Sequence, residues 1–171
     1  MPTPSIRAAL ERVEAGFTAK PQMALQSDAP ARAVFAGGLA AQVLHPQGHS
    51  LRTDMPAPMG GTGEQVTSGW LMRAALASCT STMIAMRAAR LGIEFTRLEV
   101  VVKSRTDARG MLGLDDAVPA GPLDIDVSVI IDAPGVPEPV LAELVDWADR
   151  HSPVASALRR SMDVRVSVQA G

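Results

Sequence analysis

The only cysteine in this 171-residue chain, Cys79, is the side chain with the strongest nucleophilic chemistry. A thiolate attacks peroxides and other electrophiles, whereas the neutral thiol does not. Activation requires a nearby cation, a helix N-terminus or strong hydrogen bonds, because each of these stabilises the thiolate. Without such neighbours, a lone cysteine in an alanine-rich helix is usually a small, inert core residue. The surroundings of Cys79 therefore decide between a reactive thiol and a packing role.

Arginines are the candidates for activating Cys79, and those on its own predicted helix are poorly placed. Arg73 lies about 120° around the helix axis from Cys79. Arg87 and Arg90 lie ~12 and ~16 Å further along that axis. Cys79 is also about three turns from the helix start, beyond the reach of the helix dipole. The cation is therefore expected from elsewhere in the fold or from a second chain, and the candidates are Arg32, Arg52 and Arg109.

The three histidines have no carboxylate or cysteine at metal-ligand spacing. His45 and His49 flank a Pro-Gln-Gly turn, which indicates a solvated hairpin tip. His151 lies at the end of a predicted helix, where a cation interacts favourably with the helix dipole. No phosphate loop, GxGxxG element, HExxH motif or CxxC pair is present. The sequence therefore predicts neither a metal nor an organic cofactor.

The composition argues against several classes of partner. The chain has 16 basic and 18 acidic residues, a formal charge of -2, and no Tyr. This balance gives no basic surface for nucleic acid, and so few aromatic residues offer no stacking platform for its bases. The most apolar stretch, Trp70–Leu91, has a charge-free core of only 13 residues, Ala74–Met86, against the ~20 that cross a bilayer. Because no signal-peptide pattern opens the chain and its one cysteine fits a reducing compartment, a cytoplasmic protein is expected.

The amino-terminal part of the chain predicts a short helix and then a β meander. Thr3 is a candidate N-cap and Pro4 a candidate first helical residue. Residues 23–53 change to β-prone runs broken by turn signals, which indicates two or three antiparallel strands. The Pro- and Gly-rich segment 55–63 predicts an irregular loop. The apolar stripe of the helix consists of Ile6, Leu10, Val13 and Phe17.

Residues 70–91 predict a long helix that carries Cys79. Its apolar residues lie on nearly all sides, which is typical of a helix that is buried all round. Thr67 and Ser68 can cap its start, and Gly92 can end it.

The remaining chain predicts strands and a second helix. Three runs with period-two alternation indicate half-buried strands at Leu98–Val102, Ile125–Ile131 and Val164–Val168. An apolar stripe predicts a helix over Pro139–His151, followed by a short turn from Ala155 to Arg160. Together these elements predict an α+β fold with antiparallel sheets around one long central helix.

The strongest motif of the chain is Leu71–Thr80, LMRAALASCT, with Leu91-Gly92-Ile93 beyond it. Supporting motifs are Asp54-Met55-Pro56 with Gly60-Gly61, Asp107-Ala108-Arg109-Gly110 and Ser152-Pro153-Val154. Together they resemble the OsmC/Ohr family of organic hydroperoxide reductases. The resemblance covers roughly Val34 to the carboxyl terminus. It implies a single OsmC-like domain over residues 21–171, with residues 1–20 as an amino-terminal helical extension.

The resemblance implies an intertwined homodimer whose sheets wrap around two long buried central helices, with sites at the subunit interface. Cys79 would be the peroxidatic nucleophile, which becomes a sulfenic acid. In the family, a resolving cysteine captures that acid as a disulfide, which a dithiol then reduces. Here Ser152 stands at the resolving position, and Gly69 stands where the family has a glutamate that orients an arginine. Glu64 would supply that carboxylate if its loop folds back.

Three interpretations follow from these residues. The favoured one is a one-cysteine thiol peroxidase that reduces small hydrophobic hydroperoxides through Cys79 in oxidative-stress defence, with an external thiol or dithiol as reductant. The alternative is a catalytically silent module that binds a small hydrophobic ligand in the dimer cleft. A purely structural interaction protein is favoured if no pocket opens near Cys79. None of them involves nucleic acid or a membrane.

Overall fold

The computed structural model describes residues 5–160 and 162–170. The described residues form two compact units, which divide between Ala74 and Ala75. The assignment of residues 1–20 as an extension of one domain stays a prediction.

The first unit contains the predicted amino-terminal helix, α1, Ile6–Ala19. The helix begins after Ser5, whose hydroxyl accepts a hydrogen bond of 3.2 Å from the Ala8 N–H. Thr3 and Pro4, the predicted cap and first helical residue, lie outside the described residues. A 3₁₀ turn, Pro21–Ala24, follows the helix.

A three-stranded antiparallel sheet follows in the same unit, which confirms the predicted meander. Its strands are β1, Arg32–Phe35, β2, Ala41–Leu44, and β3, Ser50–Thr53. They pair in the order β1-β2-β3, so Gln42 of the middle strand lies between Val34 and Arg52.

A buried carboxylate fixes the loop after β3. Asp54 is 4% exposed, and its Oδ2 accepts hydrogen bonds from the hydroxyl and the N–H of Thr62, at 2.6 and 2.7 Å. Its Oδ1 accepts from the Met55 N–H at 2.7 Å. These hydrogen bonds, chiefly that from the Thr62 hydroxyl, hold the pKa of Asp54 below its ordinary value. Gly61 comes so close that a Cβ on it would overlap the Met55 carbonyl oxygen.

The long predicted helix is present as α2, Ser68–Leu91. Thr67 Oγ1 accepts from the Trp70 N–H at 3.1 Å at its start, and Gly92, with φ of 71°, follows its end. The prediction of burial all round is wrong for the single chain, because only one stripe of the helix is fully buried and its other residues are half-buried or exposed. The fully buried residues form a stripe with one member per turn: Leu76, Thr80, Ile84 and Ala88.

The second unit packs a hairpin and a helix against its part of α2. Strands β4, Arg97–Thr106, and β5, Pro122–Asp132, pair antiparallel, with Leu98 opposite Ile131. These strands confirm two of the three strand predictions. The helix α4, Glu138–His151, confirms the predicted second helix. The core consists of Ile84, Ala88, Leu144 and Ala148, with Leu98, Val100, Val129 and Ile131 packed on it.

Two short helices complete the second unit. Helix α3, Ala108–Met111, was not predicted; its N-cap Asp107 accepts from the Arg109 N–H at 3.0 Å. Helix α5, Pro153–Arg159, begins two residues before the predicted turn and has Ser152 as its N-cap.

The predicted third strand, Val164–Val168, is wrong for the described chain. Residues 162–170 form no regular secondary structure. Val164, Val166 and Val168 are 80%, 87% and 90% exposed. Their alternation with polar residues suits a strand, but a strand also needs a backbone partner, and no described strand pairs with this segment.

We expect Gly61→Ala to lower the free energy of unfolding by about 1–3 kcal/mol, because the added Cβ overlaps the Met55 carbonyl. Gly16→Ala is the matched control: no atom lies within 4 Å of its Cβ position in α1, and alanine favours a helix. Urea unfolding followed by circular dichroism measures both variants. A Gly61→Ala protein as stable as the parent would contradict the close approach.

Candidate functional site

Cys79 and Ser152 form the centre of the candidate site. The Ser152 hydroxyl donates to Cys79 Sγ at 3.2 Å, although the two residues are 73 positions apart. Ser152 is completely buried, and Cys79 is half-buried. A hydrogen-bond donor beside a sulfur favours its charged form. The structure thus places the predicted nucleophile against the residue at the predicted resolving position.

The break between α4 and α5 holds Ser152 in place. Pro153 has no N–H to continue α4, so the chain turns at the preceding residue. The Ser152 N–H donates to the Asp149 carbonyl at 3.4 Å, and its Oγ accepts from the Ala155 N–H at 3.2 Å. Both helix ends therefore fix the side chain that faces Cys79.

A cavity of about 210 Å³ lies one helical turn from this pair. Leu76, in its wall, precedes Cys79 by one turn of α2, and Ala155, also in its wall, is hydrogen-bonded to Ser152. The other apolar lining residues are Ile125, Val127 and Leu158. A largely apolar cavity one helical turn from a thiol suits a small hydrophobic molecule.

An ion pair that the sequence did not reveal completes the wall of this cavity. Arg159 Nη2 lies 2.9 Å from Asp149 Oδ1, and both side chains line the space. The hydrogen bond to Asp149 raises the pKa of Arg159. The two residues are 10 positions apart, across the break between two helices. Their opposite charges were the only sequence signal, and the angle of the break decides whether they meet.

Two of the arginines considered for activating Cys79 have other partners, and two lie on strands of the first unit. Arg109 binds the Asp107 carboxylate, with 2.6 Å between Nη2 and Oδ2. This pairing raises the pKa of Arg109 and lowers that of Asp107. Arg87 stacks over Trp147, 5.0 Å from the ring centroid. The remaining candidates, Arg32 and Arg52, lie on β1 and β3 of the first unit.

Gly69, at the position of the family's orienting glutamate, lies on the first turn of α2. A Cβ built on Gly69 would be 4.0 Å from Nη1 of Arg73. The guanidinium therefore borders the position where the resemblance expects a carboxylate. The separation of Gly69 and Arg73 by four residues, about one helical turn, is the sequence signal for this contact. Glu64 is exposed in the preceding loop, where its N–H donates to Thr62 Oγ1 at 3.3 Å.

The histidines occupy the places that the sequence predicted. His45 and His49 are exposed at the tip of the β2–β3 hairpin, where the His45 N–H donates to the His49 carbonyl at 2.9 Å. His151 ends α4, and its ring stacks on Trp147 with 4.2 Å between ring centroids.

Across residues 5–160 and 162–170, no group of three or more His, Cys, Asp or Glu side chains is arranged to hold a metal ion. Over the same ranges, no helix combines the length and the apolar character needed to cross a membrane.

Comparison with protein families identifies the class of this chain. The sequence model of the family described as OsmC-like protein matches residues 61–167. The chain therefore belongs to the OsmC-like protein family, which confirms the resemblance seen in its motifs. A search of curated proteins found no match.

Solved structures show the same fold. An OsmC-like protein from Mycoplasma pneumoniae gives a TM-score of 0.66 at 16% identity, over 79% of this chain and 89% of that chain. An organic hydroperoxide resistance protein OsmC from Legionella pneumophila gives 0.59 at 20% identity, over 79% and 91%. An organic hydroperoxide resistance protein from Elizabethkingia anophelis gives 0.60 at 17% identity, over 79% and 90%. These structures confirm the α+β fold with antiparallel sheets and a long central helix.

We expect Ser152→Cys to form a disulfide with Cys79 under mild oxidation. The present gap between Oγ and Sγ is 3.2 Å. The longer C–S bond of cysteine reduces this gap toward the ~2.05 Å of a disulfide. Intact mass after alkylation under denaturing conditions counts the free thiols. Ser156→Cys, on the same helix, is the matched control and should keep two free thiols. Two free thiols in oxidised Ser152→Cys would contradict the geometry.

Proposed function

We propose that this protein is a one-cysteine thiol peroxidase that reduces small hydrophobic hydroperoxides through Cys79. The hydrogen bond of 3.2 Å between Ser152 and Cys79 carries the proposal, because it gives the sulfur a buried donor. Membership of the OsmC-like family supports the reaction class. The apolar cavity of about 210 Å³ gives the organic part of a substrate a place one turn from the sulfur.

The proposed reaction has one oxidative and two reductive steps. The Cys79 thiolate attacks the terminal oxygen of the hydroperoxide, so a sulfur–oxygen bond forms, the oxygen–oxygen bond breaks, and the alkoxide leaves as an alcohol after taking a proton. Cys79 becomes a sulfenic acid. Ser152 has no sulfur to capture it, so an external thiol attacks the sulfur and releases water. A second thiol then breaks this mixed disulfide, restores Cys79 and leaves the reductant oxidised.

The proposal includes a homodimer. The exposed valines of the Val164–Val168 segment alternate as in a strand, and a second copy would offer a strand edge for them. Much of α2 outside its buried stripe is only partly covered, so a second copy would also have apolar surface to bury there. Both features support the dimer that the family resemblance implies.

We expect reduced protein to form a sulfenic acid rapidly with a slight molar excess of cumene hydroperoxide, faster than free cysteine does. Intact mass with a sulfenic-acid trap follows Cys79 directly. Cys79→Ser should give no adduct, whereas Ser78→Ala, a change of the preceding residue, should react like the parent. A thiol that stays reduced would contradict the peroxidase and favour the silent ligand-binding module.

We expect the parent protein to sediment as a dimer and Val166→Lys to shift the equilibrium toward the monomer. The substitution places a charge on the apolar face of the Val164–Val168 segment, where a dimer would bury it. Arg165→Lys, on the polar face, is the matched control and should leave the dimer intact. Sedimentation velocity at several concentrations makes the measurement, and a monomeric parent would contradict this part of the proposal.

A further inference from the structure

The hydroxyl of Ser152 connects the start of α5 to the Cys79 sulfur on α2. A serine hydroxyl has one proton and therefore donates one hydrogen bond. Its oxygen already accepts from the Ala155 N–H at 3.2 Å, and the side chain is completely buried. The hydroxyl donates to Cys79 Sγ at 3.2 Å, out of contact with solvent.

We propose that Ser152 is a positioning residue that orients the Cys79 sulfur and stabilises the negative charge that this sulfur carries when it attacks. Its consequence for catalysis rests on the proposed peroxidase function. A hydrogen bond to a charged acceptor is about twice as strong as one to a neutral acceptor, so this donor favours the thiolate over the thiol. Because the hydroxyl is buried, solvent does not compete for it.

The serine gives position 152 a different chemical role from the family's resolving cysteine. A cysteine there would capture the sulfenic acid within the chain. Serine cannot form that disulfide, but its hydroxyl is a stronger hydrogen-bond donor than a thiol. The chain therefore has no internal thiol at this position to reduce the sulfenic acid, and it has instead a hydroxyl that donates a hydrogen bond to the attacking sulfur. Its oxidised form depends on a thiol from outside, while its reduced form is prepared for attack.

The pH dependence of Cys79 alkylation by iodoacetamide tests this role, because only the thiolate reacts. Loss of this hydrogen bond to the attacking sulfur should slow the alkylation of Ser152→Ala roughly tenfold at neutral pH and move its profile to higher pH. Ser152→Thr retains a hydroxyl and should restore most of the rate. Ser156→Ala, a serine change on the same helix, is the matched control and should leave the profile unchanged.

A second variant separates donation from helix capping. Ser152→Ala also removes the N-cap of α5, whereas glycine is well tolerated at an N-cap. Ser152→Gly therefore removes the donor and keeps the helix start, and it should show the same shift. Loss of the cap alone changes the stability to urea and not the alkylation profile. An unshifted profile in folded Ser152→Gly would overturn the proposal.

Reaction with cumene hydroperoxide distinguishes failure of this proposal from failure of the proposed function. A parent that is inert to the hydroperoxide but loses alkylation rate in Ser152→Gly would overturn the peroxidase and support the positioning role. A Ser152→Gly protein that forms sulfenic acid as fast as the parent, with the same alkylation profile, would overturn the positioning role alone.

Discussion

The turn between α4 and α5 is the constraint on which the candidate site depends. Pro153 ends one helix and begins the next, and the buried hydroxyl before it must satisfy the start of α5. The same hydroxyl reaches the sulfur on α2. A displacement of α5 would therefore alter the surroundings of Cys79 directly. The cavity shares this dependence, because Ala155, Leu158 and Arg159 of α5 form part of its wall.

The second notable property of this protein is that many apolar side chains are not fully buried in the single chain. Helix α2 has apolar residues on nearly all sides, yet full burial is confined to one stripe with one residue per turn. The valines of Val164–Val168 show the same excess of apolar surface over what the single chain covers. A sequence patterned for burial on surfaces that the chain leaves exposed agrees with the proposed homodimer.

Most of the elements could be predicted because their patterns are local. Helices α1, α2 and α4 and the strands β4 and β5 follow from apolar spacing along short segments. Helix α3 was missed because four residues carry no helical period. The prediction of a strand at Val164–Val168 was wrong for the single chain. Alternation of apolar and polar residues shows that one face of the segment could be buried in a sheet, but it does not show that a neighbouring strand is available to pair with it. The buried Asp54 carboxylate could not be foreseen, since its partner Thr62 meets it through an irregular loop.

The sequence by itself determined the helix that carries Cys79, because local periodicity records it directly, and its motifs determined the resemblance to the family. Only the tertiary structure decided that the Ser152 hydroxyl lies 3.2 Å from the Cys79 sulfur and that Asp149 and Arg159 meet in the wall of a cavity. Such contacts depend on how α2 packs in the second unit and on the angle of the chain at Pro153. Neither is encoded in the spacing of apolar residues, since that spacing fixes which side of an element is buried and not which distant side chain it meets.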